Sequence, residues 1–154
     1  MRVFVAGASG AIGRQLVPML VDAGHDVTGS TRSVEKLDMV RAMGADPVVM
    51  DGLDPESVWS VVTKSVPEVV VHELTAPGAT INLRKRDEGL AVTNRLRTEG
   101  TQHLMAAAQG AGARRFVAQS VTGWTNQRVG GPVKSEIDPM RLRLHRLGER
   151  AQRR

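Results

Sequence analysis

The sequence predicts an α/β fold in which helices flank a doubly wound parallel sheet of about five strands. Short runs rich in Val alternate along the chain with longer segments in which apolar residues recur at helical spacing, and this alternation is typical of repeated β-α-β units. A Gly-rich stretch directly follows the first apolar run, and Gly or Pro residues mark the ends of most helical segments. At 154 residues, the chain is long enough for one domain with a buried core.

Five apolar runs are predicted strands, each short enough to be buried on both faces of the sheet. They are Arg2–Ala6, Asp26–Thr31, Pro47–Met50, Glu68–His72 and Arg114–Gln119. Right-handed crossovers between them give the strand order 3-2-1-4-5. This order has a switch point between the first and fourth strands, and ligands bind at such points, beyond the carboxyl ends of the strands.

Four segments between the strands are predicted helices. They are Ala11–Ala23, Val34–Met43, Pro55–Ser65 and Glu88–Gln109. We expect Gly24, Gly44 and Gly110 to end three of these helices in the left-handed conformation, and Asp54 to cap the third at its amino end. The segment Thr75–Asp87 has turn residues and charge without periodicity, so it is predicted to be a loop over the crevice.

The net charge of +5 is concentrated near the end of the sequence. Residues 139–154 contain six Arg and one acid, which leaves 15 basic and 15 acidic residues in 1–138. This balance argues against a nucleic-acid-binding surface. Because no apolar run approaches the length of a membrane span, we expect a cytoplasmic protein without a membrane partner. The chain has no Cys and its four His lack metal-site spacing, so no metal site is predicted.

The Gly-rich stretch, GASGAIG at 7–13, lies between a predicted strand and a predicted helix. Gly7 permits a tight turn, Gly10 lets the backbone approach a pyrophosphate, and Gly13 allows the helix to pack closely. The amino end of the helix supplies N–H groups and a partial positive charge. The pattern predicts a Rossmann-type site for a nicotinamide dinucleotide, formed by Gly7, Ala8, Ser9, Gly10, Ala11, Ile12, Gly13 and Arg14.

The GxxGxxG spacing and four further motifs resemble the short-chain dehydrogenase/reductase superfamily, most closely its extended and atypical branches, which include the NAD-dependent epimerase/dehydratase family. These motifs are Asp51 with Gly52, VVVHELTA at 69–76, NRLRTEGTQHL at 94–104 and RRFVAQSVTGW at 114–124. The resemblance covers residues 1–138, which we take as the NAD(P)-binding domain.

This resemblance implies roles for several further residues. Asp51, beside Gly52, would contact the adenine, and Leu74 and Thr75 would line the nicotinamide ribose. Asn94 would support the long helix, and the hydroxyl of Ser120, or of Thr122, would assist catalysis. The resemblance implies a structural role for His72, with acid–base catalysis as the alternative.

The end of the second strand bears on the choice of cofactor. Family members that prefer NAD carry an acid there, which accepts from the ribose 2′-hydroxyl and would repel a 2′-phosphate. This chain has Thr31 at that position, followed by Arg32, with Ser30 and Ser33 beside it and Arg14 on the facing turn. Guanidinium groups and hydroxyls suit a phosphate. The sequence therefore predicts NADP(H) as the preferred cofactor and NAD(H) as the alternative.

The chain contains no Tyr, so the YxxxK pair that usually transfers the proton in this superfamily is absent. Three hypotheses follow: an NADP-dependent reductase or sugar-nucleotide epimerase or dehydratase acting on an unknown small molecule, a non-catalytic cofactor-sensing module, or an incomplete fragment of such an enzyme.

The Arg-rich segment 139–154 departs from the family pattern. It has three interpretations: a disordered, truncated or altered end, an amphipathic helix that docks on a partner subunit in a homo-oligomer, or an RNA or membrane-surface contact.

Overall fold

A computed structural model describes residues 1–76 and 86–120, with the backbone alone for 86–89. It confirms the predicted fold class, because five strands form one parallel sheet in the order β3-β2-β1-β4-β5. The strands are β1 (Arg2–Ala6), β2 (Asp26–Thr31), β3 (Asp46–Val49), β4 (Val69–His72) and β5 (Arg115–Ala118). Residues 1–119 form one compact unit. The predicted boundary at 138, the segment 139–154 and most of the predicted loop 75–87 lie outside the described residues.

The helices are α1 (Gly13–Asp22), α2 (Leu37–Ala42), α3 (Pro55–Ser65), α4 (Arg86–Arg95) and α5 (Thr101–Gly110), and a 3₁₀ turn at Val34–Lys36 leads into α2. The predicted helix Glu88–Gln109 is confirmed as one continuous helical segment from α4 to α5, and its middle turn, Leu96–Gly100, is π-helical, which the sequence did not predict. At this turn Gly100 lies so close to the chain after β3 that an added Cβ would be 3.2 Å from the Gly52 carbonyl oxygen. No helix in the described ranges is long and apolar enough to cross a membrane.

Most predicted helix ends are confirmed. Gly24 and Gly44 have φ of +78° and +86°, and Asp54 Oδ1 accepts hydrogen bonds from two N–H groups at the start of α3, at 3.0 and 3.3 Å. The prediction for Gly110 is wrong, because Gly110 is the last residue of α5 and the left-handed residue is Gly112, with φ of +74°. Gly110 instead packs against Trp59, whose ring lies 2.4 Å from the position of an added Cβ.

The core consists of two apolar layers, one on each face of the sheet. Phe4 and Ala6 of β1 pack in the layer beneath α3 and α5, whereas Val3 and Val5 pack in the layer beneath α1 and α2. Burial on both faces was predicted for every strand and is wrong for the two edge strands, since Val49 of β3 is 43% exposed and Val117 of β5 is 52% exposed. The central strands are buried, so their carboxyl ends are held rigidly side by side.

Candidate functional site

A cleft of about 270 Å³ opens at the carboxyl edge of the sheet, beyond the ends of the neighbouring strands β1 and β4, which form the predicted switch point. Ten of the sixteen residues predicted to bind the cofactor line it: Gly7, Ser9, Gly10, Thr31, Arg32, Ser33, Asp51, Gly52, Leu74 and Thr75. Sequence reasoning missed five other lining residues, which are Lys36, Met50, Glu73, Ala76 and Leu96. The remaining predicted residues lie around this cleft without lining it.

The glycine turn after β1 is packed too tightly for larger residues. Gly7 has a φ of +96°, and an added Cβ would lie 3.0 Å from the carbonyl oxygen of Glu73. At Gly13 an added Cβ would lie 2.5 Å from the carbonyl oxygens of both Gly7 and Ala8. The N–H of Gly10 donates to the Gly7 carbonyl at 2.9 Å. The amino end of α1 therefore lies directly against the turn, as the GxxGxxG spacing predicts.

This turn suits an anionic group. Helix α1 has neither a capping side chain nor an acid in its first turn, so nothing there competes with a ligand for the positive end of the helix. The predicted turn residues that do not line the cleft fall into two groups: Ala8 and Gly13 are buried, while Ala11, Ile12 and Arg14 are exposed. The residues present therefore fit a bound pyrophosphate.

Hydrogen bonds join the glycine turn to the end of β2. Thr31 is 4% exposed, and its Oγ1 accepts from the Ser9 hydroxyl at 3.0 Å and from the Ser33 N–H at 3.3 Å. Ser30 is also buried, and its Oγ accepts from the Gly7 N–H at 3.3 Å. Ser30 was expected beside a 2′-phosphate, but it does not line the cleft, and its hydroxyl instead serves the glycine turn.

Two cations lie beside these contacts. Arg32 and Lys36 are exposed and both line the cleft, because the 3₁₀ turn after β2 brings Lys36 to the same side as Arg32. Arg14, which was expected to join Arg32, does not line it. The Ser33 hydroxyl donates to the carboxylate of Glu35, which places one acid nearby.

The chain after β3 forms the opposite wall. Asp51 is exposed, and its Oδ1 accepts from the Leu53 N–H at 3.0 Å. Gly52 is buried, and an added Cβ would lie 2.5 Å from Leu74 Cδ1 and 3.1 Å from Leu96 Cδ2. His103 Nδ1 lies 3.2 Å from the Gly52 carbonyl oxygen. The wall is therefore apolar at its base and carries one carboxylate at its rim.

His72, at the end of β4, has a structural role. It is 4% exposed, and its Nδ1 accepts from the Leu74 N–H at 3.1 Å. Its Nε2 therefore carries the proton and donates to the Leu96 carbonyl at 3.2 Å. Burial lowers the pKa of His72 and keeps the ring neutral. Nε2 thus joins β4 to the π-helical turn and Nδ1 holds the segment after β4, and this use of both ring nitrogens favours the structural role over acid–base catalysis.

The long helix contacts the segment after β4 through Thr93, the neighbour of the predicted residue Asn94. Asn94 is exposed and does not line the cleft. The adjacent Thr93 is 3% exposed, and its Oγ1 accepts from the N–H of Ala76 at 3.0 Å. Thr93 therefore fixes the segment after β4 that forms one side of the cleft.

Of the two residues proposed for catalysis, the structure describes one. Ser120 is exposed and is not among the residues that line the cleft, and Thr122 lies outside the described residues. Within residues 1–76 and 86–120, no group of three metal-ligating side chains could hold an ion.

Comparison with known proteins identifies the family. Residues 7–151 match a family model described as NAD(P)H-binding. The chain is 49% identical over 143 residues to a 3-diazoavenalumate denitrifying reductase from a Streptomyces species, covering 91% of this chain and 44% of that protein.

Two solved structures share the fold. Yeast methylglyoxal/isovaleraldehyde reductase Gre2, complexed with NADPH, has a TM-score of 0.62 at 24% identity, covering 77% of this chain and 36% of that one. UDP-glucose 4-epimerase from Bifidobacterium longum, in complex with NAD+ and UDP, has a TM-score of 0.72 at 17% identity, covering 91% and 42%.

The chain spans less than half the length of each of these three proteins. The match to the NAD(P)H-binding family model includes the glycine turn after Ala6 and all the elements that form the cleft. This chain belongs to the family described as NAD(P)H-binding.

Proposed function

We propose that the cleft binds NADPH and that the chain is the cofactor-binding part of an NADPH-dependent reductase. One observation carries this proposal: the same cleft brings together the glycine turn, the amino end of α1 and the cations Arg32 and Lys36, which follow β2. When bound, the cofactor supplies a hydride. The residues of this chain bind it, orient it and shape the cleft around it.

The preference for NADPH follows from the charges at the end of β2. Thr31 stands where an acid would repel a 2′-phosphate, and its hydroxyl is engaged by Ser9 and Ser33. Arg32 and Lys36 line the cleft immediately beyond it. Two cations outweigh the single carboxylate of Glu35, so a 2′-phosphate gains charge-assisted hydrogen bonds there.

Cofactor affinities test the preference. We expect the wild type to bind NADPH more tightly than NADH, and Arg32→Ala or Lys36→Ala to weaken NADPH binding by about tenfold or more, since hydrogen bonds to charged groups contribute about 1.5–3 kcal/mol. NADH affinity should change little. Arg115→Ala removes the same charge from an exposed residue at the amino end of β5 and serves as the control. Equal affinities of the wild type for both cofactors would contradict the preference.

The reductase activity is supported by the relative from Streptomyces, whose name describes a denitrifying reductase that acts on a diazo compound. We propose that the hydroxyl of Ser120 or of Thr122 orients the substrate. The test is NADPH oxidation in the presence of aldehydes, ketones and diazo compounds, with Ser120→Ala and Thr122→Ala as variants. Turnover that neither substitution changes would exclude both hydroxyls.

A further inference from the structure

Glu73 occupies a fixed position in the wall of the cleft. It directly follows β4, and its N–H donates to the Ala6 carbonyl at 2.9 Å, which continues the contact between β4 and β1. Its own carbonyl oxygen lies 3.0 Å from the position of a Cβ at Gly7. The backbone of Glu73 is therefore held against the glycine turn, and the residue lines the same cleft as Gly7 and Gly10.

One carboxyl oxygen of Glu73, Oε2, is buried without a hydrogen bond to any described residue. A buried carboxylate oxygen without a partner costs free energy, whereas a protonated carboxyl removes the charge and gains a donor. Burial raises the pKa of Glu73. The environment therefore favours the neutral acid more than at an exposed glutamate.

No charged group among the described residues compensates for this burial. The other charged residues that line the cleft are Arg32, Lys36 and Asp51, at the exits of β2 and β3. Arg14, in the first turn of α1, is exposed. Within the described ranges none of these cations lies within ion-pairing distance of Glu73.

Among the side chains that the structure describes, the long helix and β4 supply no compensating charge either. On the long helix, Arg95 pairs with Glu99 at 2.7 Å, and the charge of Arg97 acts on His72. Burial keeps the His72 ring itself neutral. Within the described ranges, an ionised Glu73 would therefore have no cation beside it when a ligand arrives.

We propose that Glu73 receives the dinucleotide in its protonated form, so that cofactor binding takes up a proton at this carboxyl. This inference rests on the proposed function. The pyrophosphate brings two negative charges to the glycine turn, and an ionised Glu73 would place a third in the wall beside them. A neutral carboxyl avoids this repulsion and donates a hydrogen bond toward the anionic ligand.

The test measures the affinities of NAD+ and NADP+ as a function of pH, from about 5.5 to 8.5, for the wild type, Glu73→Gln and Glu56→Gln. Glu56 is exposed on the first turn of α3 and does not line the cleft, so it is the matched control. Because the 2′-phosphate of NADP+ itself titrates near about pH 6, the comparison between wild type and variant carries the result.

We expect the affinity of the wild type and of Glu56→Gln to fall with rising pH relative to Glu73→Gln. The fall is tenfold for each unit by which binding raises the pKa of Glu73, and we expect about one such unit or more. For NAD+, the affinity of Glu73→Gln should be nearly independent of pH.

Three results separate this inference from the proposed function. A wild type whose affinity follows the same pH profile as Glu73→Gln would overturn the inference alone. An affinity that rises with pH relative to Glu73→Gln would also overturn it, because the carboxylate would then accept from a ribose hydroxyl. Absence of binding by every protein at every pH would refute the proposed function, and the inference with it.

Calorimetry of the wild type provides a second measurement that needs no variant. Binding enthalpies of NAD+ in two buffers with different ionisation enthalpies give the number of protons taken up. We expect net uptake that is greatest at a pH between the pKa of Glu73 in the free protein and its pKa in the complex, and that falls toward zero at higher pH. Equal enthalpies in both buffers at every pH would contradict proton uptake at Glu73.

Discussion

Replacing Gly13 by Ala perturbs the contact on which the candidate site depends. The added Cβ would lie 2.5 Å from the carbonyl oxygens of Gly7 and Ala8. Close carbon–oxygen contacts in proteins are about 3.3 Å or longer, so the methyl group must move by about 0.8 Å. Both oxygens belong to the backbone of the glycine turn, and no side chain can rotate away to make room. Either α1 moves away from the turn or the turn opens.

The expected change in the free energy of unfolding is the difference between two opposing effects. Overpacking of a tight contact costs about 1–3 kcal/mol, and Ala is favoured over Gly in a helix by up to about 1 kcal/mol. We therefore expect a net loss of about 1–2 kcal/mol in the free energy of unfolding. For a chain of this size, each kcal/mol lowers Tm by about 2–4 °C. The displaced backbone should also weaken NADP+ binding by about tenfold or more.

Gly10→Ala separates binding from folding. At Gly10 an added Cβ would meet one atom, the Gly7 carbonyl oxygen, at 3.1 Å, and the residue is exposed in the cleft. We expect weaker NADP+ binding with little change in stability. The assays are urea denaturation and isothermal titration calorimetry of both variants. If Gly13→Ala unfolds at the wild-type urea concentration and binds NADP+ with wild-type affinity, the argument from close packing is refuted.

Three further substitutions test other parts of the structure. Asp54→Ala removes the side chain that accepts from two N–H groups at the start of α3, so urea denaturation should show a free energy of unfolding lower by about 0.5–2 kcal/mol. Asp54→Asn keeps an oxygen that can accept these bonds and should retain most of the wild-type stability. His72→Phe removes the hydrogen bonds of the ring to the Leu96 carbonyl and to the Leu74 N–H and should cost about 1–3 kcal/mol. Because burial lowers the pKa of His72 in the folded state, the wild type should lose stability as pH falls below about 6.5, whereas His72→Phe should lack that loss. The backbone N–H of Arg2 lowers the pKa of Glu68, so Glu68 stabilises the fold above about pH 4.3. The difference in stability between the wild type and Glu68→Gln should therefore shrink as pH falls below this value. A difference that stays constant with pH would contradict the role of Glu68.

Much of the fold could be predicted because local patterns and global topology agree. The apolar runs around Phe4, Val27 and Val70 form the central strands, and right-handed crossovers leave one order for them. The long helix was predicted over nearly its full length, but its π-helical turn was not, since helical spacing does not distinguish an α-helical turn from a π-helical turn. The π-helical turn at Leu96–Gly100 depends on packing against the distant Gly52, which spacing cannot show.

The candidate site was predictable where one short segment forms it. The turn from Gly7 to Gly13 has a spacing that fixes its geometry, and Arg32 follows its strand directly. The place of Lys36 in the cleft depends on a 3₁₀ turn. The hydrogen bond of Thr93 depends on how the long helix lies against the chain after β4. Glu73 was missed because its burial arises from contacts between segments distant in sequence. Residues whose roles depend on such contacts become visible only in the folded structure.

The central claim is that the glycine turn and the amino end of α1 hold the pyrophosphate of a nicotinamide dinucleotide. Two-dimensional ¹H–¹⁵N NMR of the labelled chain during titration with NADP+ tests it directly, because backbone amides that donate hydrogen bonds to phosphate oxygens change their chemical shifts most. We expect the largest changes at the amides from Gly7 to Arg14, with further changes at Arg32. Saturation by NADP+ that leaves the amides of this turn unchanged would contradict the claim.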